Sequence, residues 1–81
     1  MSMSDEAVAA LVADIAGTDE VLAEPDLNLF DAGLFDSLAM VELLVDLGTR
    51  LGIDISPTEV DRDDIDTVNK IIAFARERQE S

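Results

Sequence analysis

Apolar residues fall at helical spacing in three separate stretches of this chain, and the first two are divided by a long segment with no such period. Val8, Leu11, Val12 and Ile15 form the first stripe. Leu44, Leu47 and Leu51, with Met40 and Leu43 beside them, form the second. Val68, Ile71, Ile72 and Ala75 form the third, with Phe74 at its edge. Each stripe reads as the inward side of an amphipathic helix. Such helices bury their stripes against one another. Composition agrees: 48% of residues are hydrophobic but only three are aromatic, all Phe, so the core is Leu, Ile, Val and Ala.

The stop and start signals bound these helices. Ser4 is a cap for the first, with Asp5 and Glu6 in the turn that favours negative charge, and Gly17 is its end. The second begins at Asp36 or Ser37 and ends at Gly52. Ser56-Pro57-Thr58-Glu59 has a capping serine, a proline at the first helical position and a glutamate placed to close a capping box. The helix it opens is short, because Asp61-Arg62-Asp63-Asp64 interrupts the apolar pattern. Thr67 caps the last helix, and Arg76 and Arg78 lie near its negative end. The expected fold is all-α: a small four-helix bundle of three main helices and one short one, with a long loop between the first two. Residues 1–81 form one domain. The loop, Asp19 to Phe35, contains the breakers Pro25 and Gly33, but Val21, Leu22, Leu27, Leu29, Phe30 and Leu34 can pin it against the helices. Long loops in small domains tend to carry function.

Charge and missing residues narrow the chemistry. Five basic residues against nineteen acidic ones give 5 − 19 = −14. That balance disfavours nucleic acid and anionic membrane surfaces and favours partners with basic patches. With no cysteine there is neither a disulfide framework nor thiolate chemistry. With no histidine the commonest general base and transition-metal ligand are absent. No apolar run approaches the ~20 residues of a membrane span, and the N-terminus lacks the basic lead of a signal peptide. A cytoplasmic monomer without membrane insertion is the expectation.

Against that background Asp36-Ser37-Leu38 stands out, at the hand-over from the loop to the second helix. A serine hydroxyl needs a base to become a nucleophile. No Ser-His-Asp arrangement can be built here, Lys70 sits far along the sequence, and the four glycines form no phosphate loop. The chain is therefore expected to have no catalytic residue and no metal centre of its own. Two readings of Ser37 remain: a helix cap, or a handle to which another enzyme attaches a group. A helix N-terminus favours a phosphate, and Asp36 can either cap the helix or help hold Mg²⁺ when a phosphate donor arrives. Leu38, Val41 and Val45 form a second apolar stripe, close to Glu42 and Asp46. It is either more core or a docking face rimmed by carboxylates. The acidic run Asp61 to Asp66 fails as a calcium loop: an EF-hand needs Gly at its sixth position and Glu at its twelfth, where this chain has Asp66 and Ile72. It reads as a solvated acidic turn whose repulsion Arg62 partly offsets.

The run Pro25-Asp26-Leu27-Asn28-Leu29-Phe30, then Gly33-Leu34, Asp36-Ser37-Leu38 and Met40-Val41-Glu42-Leu43, resembles the acyl carrier protein family, essentially over the whole chain. The resemblance implies that Ser37 carries 4′-phosphopantetheine, attached by a phosphopantetheinyl transferase. It implies too that the helix after Ser37 recognises partners through Leu38, Val41, Glu42, Val45 and Asp46. The segment Ile53 to Ile71, with Asp61-Arg62-Asp63-Asp64-Ile65-Asp66-Thr67-Val68-Asn69-Lys70-Ile71, is similar to the D-alanyl carriers of teichoic acid modification. Ile65 stands where that subfamily has Trp, Val68 where it has Pro, and Leu38 where Phe is common. The subfamily implies a non-catalytic carrier that holds D-alanine as a thioester, loaded by a D-alanine–carrier protein ligase and unloaded by a membrane-bound acyltransferase complex. The rival readings are a carrier for fatty acid, polyketide or non-ribosomal peptide synthesis, and a helical adaptor that never bears a cofactor.

Overall fold

The computed structural model describes the backbone of residues 3–80 and the side chains of residues 5–79. Four α-helices follow in order: α1 (Met3–Ala16), α2 (Glu20–Ala23), α3 (Ser37–Leu51) and α4 (Val68–Glu80). Two single 3₁₀ turns, Pro57–Glu59 and Arg62–Asp64, lie between α3 and α4. No strand occurs among the described residues, so the chain is all-α as its periodicity predicts.

Helix α1 packs against α2, α3 and α4 and is the hub of the bundle. Its Val8, Leu11 and Val12 are buried against Leu43, Leu44 and Leu47 of α3 and Val68, Ile71 and Ala75 of α4 in one core cluster. Ile15, Ile72 and Phe74 are only partly buried at the margin of that cluster. Asp5 is buried near the start of α1, where the Arg76 guanidinium pairs with it. That pair ties the two ends of the sequence together and was invisible to a reading of caps and dipoles.

The ends of α3 are sharply defined. Gly52 closes it in the left-handed conformation at φ 69°, while the Gly52 and Ile53 N–H groups both donate to the Leu47 carbonyl. The reversal lets Ile53 and Ile55 drop back into the core.

Three local expectations need correction. Helix α1 is described from Met3 onward, so Ser4 lies within the helix and does not precede it; the Ser4 side chain is outside the described residues. The segment after Ser56 makes only a 3₁₀ turn. Ser56 does accept from the Thr58 N–H at 3.4 Å, but Glu59 pairs with Arg78 and closes no capping box. The chain then extends at Val60 to bury its side chain, which stops any helix there. The short fourth α-helix is α2, inside the long loop, where Val21 is fully buried.

The five cations are all engaged. Arg50 pairs with Asp14 at 3.6 Å, Lys70 with Asp66 at 3.0 Å, Arg76 with Asp5 and Arg78 with Glu59, while Arg62 lies over the Phe30 ring at 4.2 Å. The net charge of −14 is thus spread over carboxylates with few cations to offset them. Self-repulsion of this kind opposes compaction and is screened by salt. The melting temperature is expected to rise by several degrees as NaCl or MgCl₂ is added, as followed by circular dichroism; a flat series would contradict this.

Candidate functional site

The segment between α2 and α3 is folded as tightly as the helices around it. Asn28 starts a turn: its Oδ1 accepts from the N–H groups of Phe30 at 3.1 Å and Asp31 at 3.0 Å. Its carbonyl accepts from Ala32 at 3.0 Å. Gly33, at φ 76°, supplies the left-handed step that turns the chain back. The Leu29 carbonyl then receives both the Leu34 and Phe35 N–H groups, at 2.9 and 3.1 Å. Leu29 and Phe35 are buried, and the Phe30 and Phe35 rings meet edge to face at 5.9 Å. Further ties cross to the start of α4: the Asn69 N–H donates to the Pro25 carbonyl at 3.1 Å, and Asn69 Nδ2 to Asp26 Oδ1 at 2.7 Å.

This loop delivers the chain to α3 with Asp36 at the cap. Asp36 is extended (φ −135°, ψ −172°), and its Oδ1 accepts from the Ala39 N–H at 2.8 Å. Sequence alone allowed either Asp36 or Ser37 to cap; Asp36 does so, which places Ser37 at the first helical position with its side chain exposed. The Ser37 hydroxyl is thereby left out of the capping arrangement. An Asp36→Ala variant is expected to lose about 1 kcal/mol of stability, the usual worth of such a cap, measured by urea unfolding.

The arrangement fits a phosphodiester. The first turn of a helix leaves N–H groups without intrahelical acceptors, and its positive end attracts anions. Helix α3 is 15 residues long, and Ser37 is its first. Lys70 is committed elsewhere: its Nζ donates to the Asp63 carbonyl at 3.1 Å and pairs with Asp66. Lys70, the chain's single lysine, is thus held by the Asp63–Asp66 segment and not by Ser37.

Downstream of Ser37 the second apolar stripe of α3 faces outward. Leu38, Val41 and Val45 are 66, 48 and 55% exposed, which decides against the reading of that stripe as core. Glu42 is exposed and Asp46 partly so. Among the described residues no group of three or more carboxylates is disposed to hold a metal ion, Asp61 to Asp66 included. Sequence reasoning did not assign Asn28 or Asp66 any part in the site, although Asn28 shapes the loop that ends at Ser37. An Asn placed five residues before Gly33 was the available signal for the turn.

A small helical domain that presents an exposed serine at a helix start is compatible with the carrier reading, and likeness to known proteins bears on it directly. Residues 6–75 match the family described as phosphopantetheine attachment site. The chain is 44% identical over 81 residues to the D-alanyl carrier protein of Lacticaseibacillus rhamnosus, covering 95% of this chain and all of that protein. It is 43% identical over 81 residues to the protein of the same name from Lacticaseibacillus casei strain BL23, with the same coverage. It is 45% identical over 67 residues to that of Enterococcus faecalis strain V583, covering 83% of this chain and 86% of that protein. The chain belongs to the phosphopantetheine-binding carrier family and, within it, to the D-alanyl carrier proteins. Phosphopantetheine is therefore its prosthetic group, and its role is that of a carrier.

Proposed function

We propose that Ser37 is the attachment residue, and that the protein holds D-alanine as a thioester and delivers it for teichoic acid D-alanylation in cell-wall biogenesis. The observation that carries this reading is the division of labour at the start of α3: Asp36 takes the capping hydrogen bond, and the neighbouring hydroxyl is left exposed. When bound, the prosthetic group supplies the thiol that this cysteine-free chain lacks, together with a flexible arm to carry the load. The chain supplies the rest. The α3 N-terminus favours the phosphodiester charge, and Asp36 fixes the first turn. A sequence with neither Cys nor His also offers few groups able to attack a bound thioester.

A phosphopantetheinyl transferase installs the arm, a D-alanine–carrier protein ligase loads it at the expense of ATP, and a membrane-bound acyltransferase complex unloads it. Loading places the carrier in the cytoplasm. Leu38, Val41 and Val45 are the apolar docking contacts, with Glu42 and Asp46 steering basic partners. No described helix is long and apolar enough to cross a membrane, so in this reading the protein meets the acyltransferase from outside the bilayer. The test is charging of the phosphopantetheinylated protein with ligase, ATP and radiolabelled D-alanine. Label released by neutral hydroxylamine, as a thioester requires, is the expected result. No label under conditions that charge a known D-alanyl carrier, or charging with a fatty acid instead, would overturn the assignment of the load.

A further inference from the structure

The acidic segment Asp61 to Asp66 has no part in the carrier chemistry as read so far, and among the described residues its carboxylates form no group disposed to hold a metal ion. We propose that it is the platform that positions the serine loop, with Asn28, Asp66 and Arg62 as positioning residues for attachment of the prosthetic group. This rests on Ser37 being the attachment residue.

Three contacts from two residues join platform and loop. Asp66 grips the beginning of the turn: its backbone carbonyl accepts from the Leu29 N–H at 2.7 Å, and its Oδ2 accepts from Asn28 Nδ2 at 3.4 Å. Arg62 holds the middle, its guanidinium over the Phe30 ring, as a cation–π contact. Phe30 in turn meets the buried Phe35 edge to face, and only Asp36 lies between Phe35 and Ser37. Asn28 therefore acts in both directions. Its Oδ1 sets the Phe30 and Asp31 N–H groups, and its Nδ2 fastens that turn to Asp66.

The platform is itself braced. Asp64 Oδ2 accepts from the Asp61 N–H at 3.0 Å, and Lys70 bonds the Asp63 carbonyl. Lys70 Nζ also lies 3.0 Å from Asp66 Oδ1, offsetting its charge, although that buried oxygen has no hydrogen bond. Asp66 is held by the fold from one side and holds Asn28 on the other.

In transfer from coenzyme A the serine oxygen bonds the pantetheine-side phosphorus as the pyrophosphate P–O bond breaks. Adenosine 3′,5′-bisphosphate leaves, and the serine proton passes to a base of the transferase. The attacking oxygen must lie in line with the breaking bond, and a misplacement of about 1 Å can cost on the order of 10²-fold in rate. Asn28→Ala leaves Ser37, Asp36 and the α3 surface untouched. It is expected to lower kcat/KM for transfer from coenzyme A by at least about tenfold, at a temperature well below its own melting transition. Amide hydrogen exchange at Phe35, Asp36 and Ser37 should quicken.

The polarity of the Asn28–Asp66 contact allows a rescue. Asn28→Asp retains the turn acceptor but sets one carboxylate against another, so it should be slow. Combining it with Asp66→Asn restores a donor opposite an acceptor and should recover most of the rate. Wild-type kcat/KM in Asn28→Ala, or losses that follow melting temperature alone with no recovery in the double variant, would overturn the proposal. If the wild type itself is not modified, the Ser37 reading has failed; if the wild type is modified and the variants match its rate, the platform has.

Discussion

Val41→Asp is expected to leave the carrier folded and modifiable but unable to hand on its load. Val41 is 48% exposed on α3, between Leu38 and Val45, which are more exposed still. A substitution at such a position ordinarily changes stability by less than about 0.5 kcal/mol, and Val and Asp have similar helix propensities. The melting temperature should therefore hold. Loss of a hot-spot side chain at the centre of an interface, by contrast, costs about 2 kcal/mol or more, roughly thirtyfold in affinity. A carboxylate in its place must also be desolvated against an apolar surface, and it adds to a rim that already holds Glu42 and Asp46. Under the proposed docking role, transfer from the loaded carrier to the proposed membrane acyltransferase should fall by at least about thirtyfold, while phosphopantetheinylation stays largely intact. Normal transfer rates in this variant would show that the stripe is not where the acyltransferase docks.

Leu29→Ala is expected to be as damaging as a substitution in the centre of a helix, although Leu29 belongs to none. Leu29 is completely buried and sits in the same core cluster as Leu43 and Leu47. Truncating a buried Leu costs about 2–5 kcal/mol, the spread depending on how far the cavity collapses. A small domain has only about 5–15 kcal/mol of stability in all, and a chain of this size stands near the lower end. The urea midpoint should drop by a large fraction, whereas Leu38→Ala, on the exposed stripe, should scarcely move it. A Leu29→Ala midpoint close to wild type would mean that the loop is not part of the core.

These two residues also mark what could be read in the sequence and what could not. The stripes of α1, α3 and α4 were legible because a helix repeats its buried face at a fixed interval, and the core contains most of the residues which that interval selects, with Ile15, Met40, Leu51 and Ile72 at its margin. The second stripe on α3 was visible, but whether it faced solvent was not, since no local rule reveals whether another element covers it. The α2–α3 segment was seen to be apolar, yet its form was hidden. Its order comes from Asn28 and from contacts to Asp66 and Asn69, which lie some forty positions away. Local propensity has no access to such partners.

The same distinction explains the misplaced short helix. Ser56-Pro57-Thr58-Glu59 carries every local sign of a helix start, and the first turn does form, as 3₁₀. Burial of Val60 and the pairing of Glu59 with Arg78 then override the signal. At the site, the Asp36-Ser37 pair was recognisable as a unit, but its roles were interchangeable until the cap was seen on Asp36. That one hydrogen bond is what separates a structural aspartate from a free serine.

Intact-protein mass after incubation with coenzyme A and a broad-specificity phosphopantetheinyl transferase, for wild type and Ser37→Ala, tests the central claim most directly. A mass gain of one phosphopantetheine on the wild type, and none on a Ser37→Ala variant of unchanged melting temperature, is the expected result. No gain on the wild type under conditions that modify a control carrier, or a gain that survives Ser37→Ala, would contradict it.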